Sequence, residues 1–215
     1  MATVKGNAVG QGRRARQAAE TRRRILAAAR SEFVGNGYAA TTVQRIAEVA
    51  DVAWQTVYSV FGTKATILKE LFDVTVVGDD LPVPMVERPF VREIAAAPDP
   101  REKARIFAAH LRETLTRTAE VVSVIEAAAA GDKEIAGVWQ TLQEQRRFGM
   151  TQAVKAFRAD GVLRRDLSEQ RAVAVLWFLS GHSPYRALVS EHGLSVDEFE
   201  QWTAETLYDQ LFRPQ

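Results

Sequence analysis

The sequence predicts an all-α protein, with an N-terminal three-helix helix-turn-helix domain followed by a larger C-terminal helical domain. Three observations carry this. Apolar residues recur at three- and four-residue spacing through most of the chain, as one buried helix face requires. No run of alternating apolar and polar residues competes as a strand. Pro82, Pro84, Pro89, Pro98 and Pro100 lie close together, and proline lacks the N–H that a helix interior needs, so no continuous helix crosses that stretch.

Residues 1–15 are Gly-rich, polar and basic without periodicity, and read as a disordered basic arm. A helical pattern starts near Arg16. Ile25, Leu26, Ala29 and Phe33 form its stripe, and Gly35 and Gly37 supply the stop. A second, short helix follows Thr41-Thr42, with Thr41 and Gln44 spaced as a capping box and Ile46, Ala47 and Ala50 as its apolar face. Asp51-Val52-Ala53 is a three-residue break before a third helix from Trp54 to Phe61. Gly62-Thr63 ends that helix, and Thr63 can cap a fourth, which starts at Lys64 and carries Ile67, Leu68, Leu71 and Phe72. Past a short helix near Pro89–Ala97, long helices run over 101–130, 133–160, 168–190 and 195–212, punctuated by Gly131-Asp132 and Gly161. The expected domains are 16–72 and 73–215.

A chain of 215 residues with 47% hydrophobic content can bury a proper core. It has no cysteine, which excludes a disulfide scaffold and thiolate metal sites. The apolar stretch near Ala172–Leu179 is too short to span a bilayer, and no apolar segment follows the basic N-terminus, so a soluble cytoplasmic protein is expected. Net charge is +1, but residues 1–70 hold 11 Lys+Arg against 5 Asp+Glu while the remainder is net acidic. Such asymmetry is the electrostatic footprint of a nucleic-acid-binding domain. His110, His182 and His192 lack metal-ligand spacing. The chain also lacks a phosphate-binding glycine loop, a nucleophile elbow and a paired-carboxylate motif. Neither enzymatic activity nor a cofactor or metal is expected.

Two short helices joined by a three-residue turn form the helix-turn-helix arrangement. The stretch from Gly37 through Tyr38, Thr41, Thr42, Gln44, Ile46 and Ala47, then Val52, Thr56-Val57-Tyr58 and Phe61-Gly62-Thr63-Lys64, resembles the N-terminal signature of the TetR family of transcriptional regulators. The resemblance covers about Thr21–Leu71. It implies binding to double-stranded DNA, with Thr42, Tyr58 and Lys64 holding phosphates. Base reading would fall to Gln44, Trp54, Gln55 and Thr56. Arg45 reads as a phosphate ligand or a surface residue, and Trp54 either touches DNA or folds over the turn. The sequence departs from the family pattern in two places. Asp51 stands where a turn glycine is usual, at a position expected to need positive φ. Ala53 stands where a Ser or Thr commonly caps the recognition helix. Arg13, Arg14, Arg16 and Arg22–Arg24 read as an arm along the DNA backbone or as a solvated charge run.

The C-terminal region resembles the family's effector domain only in general character. Gly181-His182-Ser183-Pro184-Tyr185 interrupts an apolar helix, with Ser183 as a cap and Pro184 in the restarted first turn. Trp202, Leu207, Tyr208 and Leu211 on the terminal helix suggest a four-helix interface in a homodimer. The family also implies a small-molecule effector pocket, for which Phe107, His110, Trp139, Phe148, Trp177 and His182 are the candidates. Each of these also reads as an ordinary core or interface residue. Arg146-Arg147 reads as an anion holder or a helix-surface pair. The reading is a repressor released from a palindromic operator by a ligand. The alternative is a ligand-binding helical dimer that has lost operator recognition.

Overall fold

The structure, a computed structural model, describes residues 5–79 and 83–213; among them every regular element is helical and no strand occurs. Helix α1 (Lys5–Ala40) begins well ahead of Arg16. Of the arm expected over 1–15, residues 1–4 lie outside the described residues, and helix is present from Lys5. A nucleated helix adds turns at little cost when no proline intervenes. The helix breaks at Gly37, whose φ of 77° places its backbone where an L side chain would clash. Helices α2 (Val43–Val49), α3 (Trp54–Phe61) and α4 (Lys64–Val77) follow.

In the proline-rich stretch, Pro82 lies outside the described residues. A 3₁₀ turn over Met85–Glu87 leads into α5 (Pro89–Ala96), where Pro89 occupies the first turn and sacrifices no helical bond. Long helices α6 (Pro100–Ala129) and α7 (Lys133–Ala159) come next. Helix α8 (Glu169–Leu179) is capped by Ser168, which accepts from the Arg171 N–H. The interruption after it is where the sequence places it, but the cap differs. Gly181, not Ser183, is the N-cap of α9 (His182–Tyr185), and no side chain bonds there. A π-helical segment, Arg186–Glu191, continues α9. Helix α10 (Val196–Leu207) opens with a Ser195–Glu198 capping box and ends in a π turn over Tyr208–Phe212.

The described residues group into two compact units. One takes the chain up to Asp73 together with Ser123–Val138; the other takes Val74–Val122 and the chain from Trp139. In the first unit, the predicted stripe of α1 (Ile25, Leu26, Ala29, Phe33) is buried, as are Ile46 and Ala47 of α2, Val57 and Phe61 of α3, and Ile67, Leu68 and Leu71 of α4. Each large apolar side chain removed from water contributes roughly 1.5–3 kcal/mol. This core fixes which faces of α2 and α3 remain outside.

In the second unit, Phe107, Leu111 and Leu115 of α6 share one core with Val154 and Phe157 of α7, Leu176 and Leu179 of α8, Tyr185, and Phe199, Leu207 and Leu211 near the C-terminus. Leu207 and Leu211, expected at a dimer interface, are 1% and 0% exposed within their own chain. They are already used by the core and cannot serve a partner, whereas Phe148 and Phe178 are 66% and 55% exposed. No helix among the described residues is long and apolar enough to cross a membrane.

Candidate nucleic-acid interface

The surface left by the first unit's core is the outer face of α2–turn–α3. Thr42 is the N-cap of α2, its hydroxyl accepting from the Arg45 N–H at 3.1 Å. The capping box expected from Thr41 does not form. Thr41 is buried and donates instead to the carbonyls of Gly37 (2.8 Å) and Glu32 (3.1 Å), fastening the end of α1. Gln44 is exposed. Arg45 is also exposed, and it sits between the Glu48 carboxylate at 3.2 Å and that of buried Glu32 at 3.4 Å.

The turn has the conformation expected of it. Asp51 takes φ 50°, the one positive-φ non-glycine among the described residues, and Ala53 caps α3 without a side-chain bond. Helix α3 then divides cleanly. Val57 and Phe61 face the core, while Trp54 and Tyr58, four residues apart and hence on one face, are 50% and 62% exposed. Gln55 is exposed beside them and Thr56 is half-buried. Trp54 is thus half open to solvent at the first turn of α3. Thr42, Gln44, Trp54, Gln55 and Tyr58 all present side chains to solvent on this α2–α3 segment.

Lys64 departs from the sequence reading. Its ammonium donates to the carbonyls of Tyr38 (2.7 Å) and Thr41 (2.9 Å) and lies 4.0 Å from the centre of the Tyr38 ring. Burial lowers its pKa from the usual lysine value, with Asp132 opposing that shift. In the protein without DNA, the side chain expected to reach a phosphate satisfies carbonyls at the end of α1. Thr63 caps α4 as expected, accepting from the Thr66 N–H at 3.1 Å.

The basic run divides as well. Arg13, Arg14 and Arg16 are exposed on α1. Arg22 is paired with Glu70 and lies over the Phe61 ring, and Arg23 pairs with Glu20 at 2.8 Å. Arg24 reaches the α2–α3 turn, donating to the carbonyls of Ala50 (2.6 Å) and Asp51 (2.9 Å). Sequence reasoning missed these bracing roles, because the partners lie 26 and 27 positions away and nothing local marks them.

The six residues named for an effector pocket all belong to the second unit. Phe107 is buried against Phe157. His110 stacks on Phe90 with centroids 3.6 Å apart, and burial followed by the Arg117 charge pushes its pKa down to about 4. His182 shares a 2.7 Å hydrogen bond between Nε2 and the Thr118 hydroxyl; burial, then Arg146 and Arg186, push it down to about 4. Trp139 is half-buried and Phe148 is exposed. Trp177 lines a groove of about 470 Å³ together with Arg147, Thr151, Glu169, Gln170, Val173 and Ala174, the only one of the six to do so.

Arg146 is half-buried, while its neighbour Arg147 is exposed. Arg146 donates to the carbonyl of Trp177, the hydroxyl of Ser180 at 3.1 Å and Oε1 of Gln143 at 2.6 Å, closing the C-terminal end of α8. Burial, with Arg147 adding to it, lowers its pKa to about 10.

A compact unit whose two short helices are joined by a four-residue turn, Ala50–Ala53, with the second helix exposing an aromatic pair, is a helix-turn-helix domain. Residues 25–71 match the family model described as bacterial regulatory proteins, tetR family. No curated protein matches the chain by sequence. Among solved structures it resembles NalD, the secondary repressor of the MexAB-OprM multidrug efflux pump in Pseudomonas aeruginosa, at TM-score 0.71 and 17% identity, covering 92% of this chain and 98% of that one. A putative TetR-family transcriptional regulator from Rhodococcus sp. aligns at TM-score 0.65 and 16% identity, over 90% and 99% of the two chains. A putative transcriptional regulator from Saccharomonospora viridis in complex with choline aligns at TM-score 0.63 and 19% identity, over 91% and 99%. Residues 25–71 thus carry a helix-turn-helix of the tetR type, and the chain as a whole has the fold of these solved regulators.

Proposed function

We propose that this chain is a cytoplasmic, non-enzymatic DNA-binding regulator, a homodimeric repressor released from a palindromic operator by a small molecule. The observation that carries the reading is the outer face of α3. A Trp and a Tyr stand half or more exposed on a helix whose opposite face is fully buried. Leaving two large aromatics in water on a short helix has no folding benefit, and an aromatic face with a neighbouring amide suits the edge of a base pair.

Thr42 and Tyr58 hold phosphates in this reading, and Gln44, Trp54, Gln55 and Thr56 read bases. Lys64 acts indirectly, by holding the start of α4 to the end of α1. Two-fold symmetry in the protein would match two half-sites. The effector is a small molecule of unassigned class. The choline complex of the Saccharomonospora viridis regulator supports looking for such a ligand here.

The test is a mobility-shift titration against DNA flanking the chain's own gene, with selection from random DNA beside it, across salt concentrations. A sequence-specific complex at physiological salt is expected. Its absence from both would overturn the reading in favour of a helical dimer without operator recognition.

A further inference from the structure

We propose that Arg24 is a positioning residue for the reading helix: from α1 it fixes the α2–α3 turn and so sets where α3 stands. The inference rests on α3 being the DNA reader. Its geometric basis is separate: the turn's own backbone bonds, from the Asp51 N–H to the Glu48 carbonyl at 3.1 Å and from the Val52 N–H to the Ala47 carbonyl at 3.0 Å, do not use the carbonyls of Ala50 and Asp51.

Asp51 sits at φ 50°, which an L residue disfavours, and Ala53 offers α3 no side-chain cap. The carbonyls of Ala50 and Asp51 fall at the C-terminal end of α2, where intrahelical donors run out. Arg24 supplies them. One nitrogen of its guanidinium lies 2.6 Å from the Ala50 oxygen, 2.9 Å from the Asp51 oxygen and 3.1 Å from the Asp51 carboxylate. The cation also opposes the partial negative charge of the helix end. The Asp51 side chain is 97% exposed, so its ion pair contributes little and the two carbonyl bonds matter most. The neighbouring Ile25 and Leu26 are buried in the core, which fixes the backbone from which Arg24 reaches. The turn is thereby tied to a helix anchored in the core of the unit.

The rival role for Arg24 is a direct phosphate contact, and three proteins separate the two: wild type, Arg24→Ala, and Arg24→Ala with Asp51→Gly. In the free full-length protein, amide exchange over Val52–Thr56 should be about tenfold faster in Arg24→Ala, because the clamp is gone. Exchange unchanged from wild type overturns the proposal, whatever the chain does on DNA. On a DNA sequence selected by the wild type, Arg24→Ala should lose roughly tenfold in affinity while binding to random DNA changes little. The added glycine, which accepts positive φ freely, should regain most of that loss. A loss equal on all sequences, with a salt slope reduced by about one and no recovery from Asp51→Gly, would make Arg24 a phosphate ligand instead. If wild type selects no DNA sequence, the reading of α3 fails, and the exchange measurement alone decides the clamp.

Discussion

The ammonium of Lys64 stands 2.7 Å from the carbonyl oxygen of Tyr38 and 4.0 Å from the centre of that residue's ring. One cation thus joins the first residue of α4 to the end of α1, using two carbonyls and a π face as acceptors. Lys64→Met keeps the stem and removes the charge, leaving both carbonyls short of a donor. Leaving such groups unsatisfied costs about 1–3 kcal/mol. Urea unfolding of this variant should show a midpoint lowered accordingly with an unchanged slope. Stability equal to wild type would return Lys64 to the role of a free phosphate ligand.

Tyr58 and Gln55 should fail in different ways on DNA. Tyr58→Phe keeps the ring but loses the hydroxyl, so affinity should drop several-fold by a similar factor on every sequence. Gln55→Ala should instead change which sequence is selected, with discrimination at one position falling by about 1–3 kcal/mol. Parallel selections from random DNA with the two variants check this. A shifted consensus from Tyr58→Phe would contradict the assignment.

The parts legible in the sequence were those set by short-range chemistry. The break at Gly37, the positive φ at Asp51, the absent cap at Ala53 and the two faces of α3 all follow from residue type and helical period. The cap of α2 was misplaced by one residue. Adjacent threonines are equally able to cap, and only the inward carbonyls of Glu32 and Gly37 draw Thr41 away. Lys64 and Arg24 look like phosphate ligands in one dimension, and the carbonyls they meet in the fold lie more than twenty positions off. The stripe of α10 was correct as a stripe. Periodicity cannot say whether Leu207 and Leu211 bury in their own chain or against another, and here they bury in their own.

Acid should destabilise the second unit through two histidines. His110 and His182 have folded pKa values pushed down to about 4, against an unfolded value near 6.5. Between these limits the unfolded chain binds protons that the folded chain refuses. Their neutral-state stability is therefore full above about pH 6.5 and is lost as pH falls towards 4, by up to roughly 3 kcal/mol per ring. His110→Phe keeps the stack on Phe90 and removes one titrating group. Denaturant midpoints measured from pH 7 down to 4.5 should fall less steeply in that variant. An identical slope would mean that His110 titrates normally.

Gly181 tests the packing where α8 ends. Its φ of −86° is open to any residue, and replacing glycine by alanine at such a site ordinarily stabilises by about 0.4–1 kcal/mol through the unfolded chain. Space decides otherwise. A Cβ there would lie 3.1 Å from the carbonyl oxygen of Phe178 and 3.3 Å from Nη1 of Arg146. The carbonyl belongs to the helix end and cannot move far. The guanidinium can swing away only by loosening its bonds to Trp177 and Ser180. Gly181→Ala should therefore lower stability by about 1 kcal/mol. In an Arg146→Ala background the second clash is absent and the lost bonds are already gone, so the same substitution should cost less. A double-mutant cycle on thermal midpoints measures that difference, and strict additivity would show that Arg146 does not press on Gly181.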